Sequence, residues 1–246
     1  YQDSPNTPDY AKRIGKSRYM TMGFIADGLF QSEEEIDRSP WISGSRPRVG
    51  DIKYKDLNGD GAITYDQDRA YIGRGQRPQF NGSINLNASW KGLEFDILFI
   101  GAAVCDVSLT GTYYNHNEDN TIFTRPFKAG ANSPRYLVEQ AWTPENPDAK
   151  YPRLSLNPPN TNNAYASSFW YRDGKYLRLK SVHLGYTLPK AWTGKLRIQK
   201  VKVYVEGNNL CTWSGLPEGI DPEWPGVTNG YYPQQRTVVG GLEISF

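Results

Sequence analysis

The residues best placed to do chemistry lie in one short run, Asp56-Leu57-Asn58-Gly59-Asp60-Gly61-Ala62-Ile63-Thr64-Tyr65-Asp66-Gln67-Asp68. Asp56, Asn58 and Asp60 put oxygen donors at the first, third and fifth positions of a Ca²⁺-loop pattern. Gly61 takes the sixth, where the chain turns sharply, and the carbonyl of Ala62 takes the seventh. Ile63 fills the apolar slot that comes next. The twelfth position, where a bidentate acid belongs, is Gln67, flanked by Asp66 and Asp68. A shifted loop could draw its last carboxylate from either. The run therefore reads as one structural Ca²⁺ site formed by Asp56, Asn58, Asp60, Ala62, Asp66 and Asp68. An Asx- and Gly-rich turn without metal accounts for the same residues. Neither reading supplies a general base or an open coordination position, so no catalysis is expected here.

Composition excludes several other chemistries. The 246 residues contain two histidines, His116 and His183, too few for His-based catalysis or a multi-His metal centre. The 28 basic and 26 acidic residues leave a net charge of +2, with no basic patch for nucleic acid. Cys105 and Cys211 lack CxxC spacing, and if each lies just past a strand end with a third strand between them, their separation of about 10 Å is beyond disulfide reach. No apolar run reaches the roughly 18 residues of a membrane helix. A membrane β-barrel passes that test, because its strands alternate and average to a hydrophilic chain.

The elements that must position these residues are strands. Gln79 to Trp90 alternates strictly, with Phe80, Gly82, Ile84, Leu86, Ala88 and Trp90 on one face. Lys91-Gly92 reads as a tight reversal. Leu93, Phe95, Ile97, Phe99 and Gly101 continue the apolar face, while Leu98 and Ile100 interrupt the polar one. Further strands are predicted over Tyr19–Leu29, Phe169–Pro189, Gln199–Asn209 and Arg236–Phe246, about six in all. The connections between them alternate between long (30–78, 104–175, 210–235) and short (91–92, 189–198). This segregation predicts an all-β antiparallel meander of a transmembrane β-barrel, with long loops at one end and short turns at the other. A soluble Ca²⁺-stabilised carbohydrate-binding β-sandwich is the alternative of a different class.

Several segments, in order, resemble the C-terminal part of SusC/RagA-type TonB-dependent transporters. They are ADGLFQSEEEI (Ala26 to Ile36), GDIKYKDLNGDGAIT (Gly50 to Thr64) and DRAYIGRGQRPQFNGSINLNASWKGLEFDILFIG (Asp68 to Gly101). Next come AWTPENPDAKYPRL (Ala141 to Leu154), FWYRDGKYLRLKSVHLGYTLP (Phe169 to Pro189) and VYVEGNNLCTW (Val203 to Trp213). GIDPE (Gly219 to Glu223) and GGLEISF (Gly240 to Phe246) complete the set. The resemblance implies that residues 1–246 form the last portion of a barrel of about 22 strands, without its N-terminal plug. It also implies an outer-membrane location, contact with lipid, and import of oligosaccharides or peptides with a SusD-like surface lipoprotein. Energy would come from TonB through the missing N-terminal part. A siderophore or cofactor receptor on the same barrel is a second cargo reading, and neither is an enzyme.

With Phe246 taken as periplasmic, Phe169–Lys175 lies outside and Pro189 at a periplasmic turn. Val182, Leu184, Tyr186 and Leu188 then share the lipid face. Continuing that face would put Lys180 and Arg178 in lipid, at about 2–4 kcal/mol each near the midplane. The sequence therefore predicts a β-bulge near Lys180-Ser181, which brings Leu177 and Leu179 onto the lipid face instead. Glu94, Asp96, Arg178, Lys180, Lys202 and Glu206 are candidates for the opposite, lumen-facing wall. Trp170, Tyr171, Trp213, Trp224, Tyr231 and Tyr232 are aromatics that could stack on sugars, pack the loops or sit at the membrane interface.

Overall fold

In a computed structural model, residues 3–75, 77–109, 135–155, 162–194, 198–223 and 234–246 are described. Among them the chain divides into two compact units. The first draws on residues up to Arg77 and on Asp106–Arg172. The second draws on Pro78–Cys105 and on the residues from Asp173 onward.

The first unit is built from short elements. β1 (Thr21–Phe24) pairs antiparallel with β4 (Arg69–Ile72), and β2 (Ala26–Leu29) with β3 (Ile52–Tyr54). The helix α1 (Glu33–Arg38) starts at Ser32, whose hydroxyl accepts the Glu35 amide, while the Glu35 carboxylate accepts the Gln31 amide. This is a reciprocal cap that satisfies helix-start donors. Phe24, Phe30, Ile36, Ile52, Ile63, Leu137 and Trp170 are buried and form the unit's apolar core. The single strand predicted over Tyr19–Leu29 is thus two strands of four residues, broken at Ile25 and folded into this unit. Neither has the roughly 9–11 residues needed to cross a membrane.

The second unit is one five-stranded antiparallel sheet. Its members are β5 (Phe80–Trp90), β6 (Leu93–Ala103), β9 (Tyr176–Thr187), β10 (Lys200–Ser214) and β11 (Thr237–Ser245), in that spatial order. β7 (Asp106–Ser108) and β8 (Tyr171–Asp173), which fall in the first unit but for Asp173, are short and pair with each other. Strands adjacent in the sheet succeed one another along the chain, which is a meander. β5 and β6 are joined through Lys91 and Gly92, both at positive φ, the two-residue hairpin turn that suits the strand twist. The segment predicted as one strand over Phe169–Pro189 is interrupted at Gly174–Lys175, so only Tyr176–Thr187 belongs to the sheet. Five of the six predicted strands therefore build it.

Candidate functional site

The sheet has two chemically different faces. Register aligns Ile84 with Phe99, Leu86 with Ile97, Phe95 with Leu184, Leu184 with Val205, and Val203 with Leu242. The result is one apolar surface running across all five strands. It is exposed: Phe80 is 61%, Trp90 67% and Leu242 60% accessible. In a β-sandwich this face would be covered by a second sheet. An eleven-residue strand is about 36 Å long, and tilted by ~45° it spans an apolar band of about 25 Å. The aromatics Phe80 and Trp213 lie toward the long-connection end, and Trp90 and Tyr186 toward the short-turn end.

The other face is polar. Glu94, Asp96, His183, Lys202 and Glu206 share it with the Asn and Ser residues of β5. Lys202 donates to Glu94, and Lys200 to Glu243 at 3.0 Å. The imidazole of His183 stacks on Tyr204 with ring centres 5.4 Å apart.

The faces stay in phase because of a bulge at Lys180. On the β6 side, Leu98 pairs with Ser181 and Phe99 with Leu179, so Lys180 has no partner there. On the β10 side, Asn208 pairs with Ser181 and Cys211 with Leu179, and Asn209 adopts a positive φ of 52°. Leu177 and Leu179 consequently align with Gly101 and Phe99 on the apolar face. Arg178 turns to the polar face, where it is 3% exposed. The predicted register break is present at the predicted residue.

Arg178 is the centre of a cluster whose membership sequence reasoning missed. Its Nε donates to Thr212 Oγ1 at 2.8 Å and its Nη2 to Asp221 Oδ1 at 2.8 Å. Its Nη1 donates to Gln234 Oε1 at 3.1 Å and also to Glu223. Lys180 Nζ lies 3.3 Å from Glu223 Oε2. A sequence signal existed: two cations that a lipid face rejects, and the acid pair Asp221-x-Glu223 in GIDPE. Nothing local joined them.

The Asp56 loop lies in the first unit. Asp56 accepts the amides of Gly59 at 2.7 Å and Gly61 at 2.8 Å, Asn58 accepts that of Asp60, and Asp60 that of Ala62. The Gly61 amide, helped by Gly59 and outweighing slight desolvation, holds Asp56 below the usual carboxylate range. Asp68 is fully buried and clasps the loop's two ends, accepting the amides of Leu57 at 2.9 Å and Thr64 at 2.8 Å. Ile63 is buried, as its apolar slot requires, whereas Ala62 and Asp66 are exposed. Among the described residues no three His, Cys, Asp or Glu side chains are gathered about one point.

Of the candidate aromatics, Trp170 is fully buried, Tyr171 is half-buried and Trp213 is exposed. Trp170 donates its indole N–H to the Asn163 carbonyl at 2.8 Å, so it packs the first unit. Trp224, Tyr231 and Tyr232 lie outside the described residues.

A five-stranded meander with one apolar and one polar face defines the class: a segment of a transmembrane β-barrel. No described helix is long and apolar enough to cross a membrane. No family model matches the chain. It is similar to TonB-dependent receptor P26 of Formosa agariphila, at 32% identity over 95% of this chain and 23% of that protein. It is likewise similar to TonB-dependent receptor P3 of the same organism, at 29% identity over 95% of this chain and 23% of that protein. Among solved structures it is similar to the RagAB peptide importer in the open-open state. There the TM-score is 0.61 and the identity 23%, over 92% of this chain and 22% of that one. The RagAB peptide transporter gives a TM-score of 0.61 at 22% identity, over 92% of this chain and 23% of that one. The resemblance to SusC/RagA-type TonB-dependent transporters is thus borne out over nearly the whole chain. The chain spans about a quarter of the length of the curated relatives it matches (23%).

Proposed function

We propose that this chain is the C-terminal barrel portion of a TonB-dependent outer-membrane importer, which transports and does not catalyse. Its cargo is glycans or peptides, received together with a SusD-like surface lipoprotein, and TonB acts through the part of the protein that precedes this portion. The observation that carries the reading is the two-faced sheet, apolar toward lipid and charged on the other side, with its faces kept in phase by the Lys180 bulge. The similarity to named TonB-dependent receptors and the RagAB-type fold supports it. The Asp56 loop is proposed to take one structural Ca²⁺, on the spacing of Asp56, Asn58 and Asp60 and the low proton affinity of Asp56.

The test uses the full-length protein in its own cell. It is expected in the outer-membrane fraction, released only by detergent, and co-purifying with a surface lipoprotein encoded beside it. Uptake of labelled oligosaccharides or oligopeptides should fall on deletion of either this protein or TonB. A full-length protein found soluble without detergent, or uptake of both classes unchanged by its deletion, overturns the reading.

A further inference from the structure

At the long-connection end of the sheet, the chain leaves β10 at Ser214 and reaches Asp221 and Glu223, both bonded to Arg178. Arg178 belongs to β9, and its Nε bonds Thr212 of β10 on the way. Residues 215–223 therefore fold back over the polar side of their own strand to meet the strand before it. Asp221 Oδ1 also accepts the Glu223 amide at 2.8 Å, so the two carboxylates are held as one unit. Ile220 is buried, and its amide closes a turn on the Pro217 carbonyl at 3.2 Å. A cavity of about 420 Å³ lies beside this segment, lined by Arg178, Asn209, Thr212, Ile220, Asp221 and Arg236.

We propose that residues 215–223 are a fixed strap that narrows the polar side of the barrel, and that Arg178 is the positioning residue that holds it closed. Lifting the strap would strip the Arg178 guanidinium of Asp221 and Glu223 at once and leave it Thr212 and Gln234 as partners. Breaking a buried, hydrogen-bonded charge set by removing one side is strongly unfavourable. The strap consequently behaves as part of the wall and sets the width available to cargo. This last step rests on the importer reading; the latch itself does not.

The experiment uses full-length protein on intact cells, in a Cys211→Ser background that also carries Ile220→Cys. A membrane-impermeant maleimide should label Cys at 220 slowly while Arg178 is present. Arg178→Met should raise the labelling rate about tenfold or more, since loss of the buried pairing opens the segment locally. The charge-neutral triple variant Arg178→Met/Asp221→Asn/Glu223→Gln should do the same, and it serves where Arg178→Met alone fails to assemble. Equal labelling with and without the Arg178 cluster, at equal outer-membrane levels, overturns the latch. Faster labelling with an unchanged upper size of imported cargo overturns the constriction while leaving the latch. Faster labelling with a raised size limit is the expected result.

Discussion

Lys202 on β10 bonds Glu94 on β6, two strands away, by passing over Gly185 of the strand between them. A Cβ on Gly185 would lie 2.6 Å from Lys202 Cε. The glycine is the gap through which the charge pair is made. Gly185→Ala is therefore expected to displace Lys202 and uncouple the pair without blocking assembly, since the lysine stem can swing aside. A double-mutant cycle with Glu94→Gln, read by urea unfolding of the full-length protein in vesicles, should be clearly non-additive. Additive effects would mean that Lys202 reaches Glu94 by another route.

Deleting Lys180 removes the unpaired residue of the bulge. Leu179 then follows Ser181 directly, and regular alternation keeps Leu179 and Leu177 on the apolar face and Arg178 on the polar one. Only a strand that kept Lys180 and lost the bulge would carry Arg178 to the lipid face, at about 2–4 kcal/mol near the midplane and less toward the interface. The deletion should therefore leave the folded, outer-membrane fraction of the full-length protein largely intact, as should Lys180→Gln, which keeps the residue count. Loss of folding on deletion alone would show that the bulge does more than keep the faces in phase, and loss in both variants would assign the effect to the lysine charge.

Five strands were legible in the sequence because each has to answer to two different solvents, and period-two alternation records that directly. The bulge was legible for the same reason, since Arg178 and Lys180 could not both stay in phase with Val182 and Leu184. The first unit was not legible. Tyr19–Leu29 has the composition of one strand, yet a Cβ on Gly23 would meet the Ala166 carbonyl oxygen at 2.5 Å, a contact no local pattern announces. The Arg178 partners lie 43 and 45 residues away along the chain, which periodicity does not reach.

Burial is the largest influence on Asp51 and pushes its carboxyl above the usual range, against the Arg48 amide and the Asn163 side chain that bond it at 2.8 Å. A raised folded-state value means that the folded form binds the proton more tightly than the unfolded one. Its favourable contribution is present at low pH and is lost as pH rises from the ordinary Asp value through the raised one. Deuterium exchange of the Gly50–Tyr54 backbone, corrected for intrinsic rate, should reveal easier opening across that window. Asp51→Asn should abolish the dependence, and an unchanged slope in that variant would assign it to another group.

Trp170 is fully buried, with its ring centre 6.4 Å from Tyr151 and 4.7 Å from Phe169. Trp170→Ala is expected to cost about 3–5 kcal/mol in the first unit. Deuterium uptake should rise in peptides covering β1 and Tyr151 and stay unchanged across the β5–β6 turn. Uniform loss of protection in both would show that the two units open together.

Calcium titration of the full-length protein should give saturable heat that Asp60→Ala removes, as the spacing of the Asp56 loop proposes. Negligible heat in both proteins would leave the loop as a turn held by its own amides and by Asp68.

The first unit closes through bonds such as the Ala26 amide to the Ser168 hydroxyl, 2.9 Å apart across 142 residues of sequence. The β5–β6 hairpin lies wholly within that interval. The unit cannot be completed while the chain is still arriving: its early half must wait, with the side of Phe24 that meets Tyr165 still open, until the segment beyond the hairpin has been delivered. Such long closures are slow and leave apolar surface open in the meantime. The layout therefore dictates an order of assembly, in which the first unit closes only after Ser167 and Trp170 have been delivered.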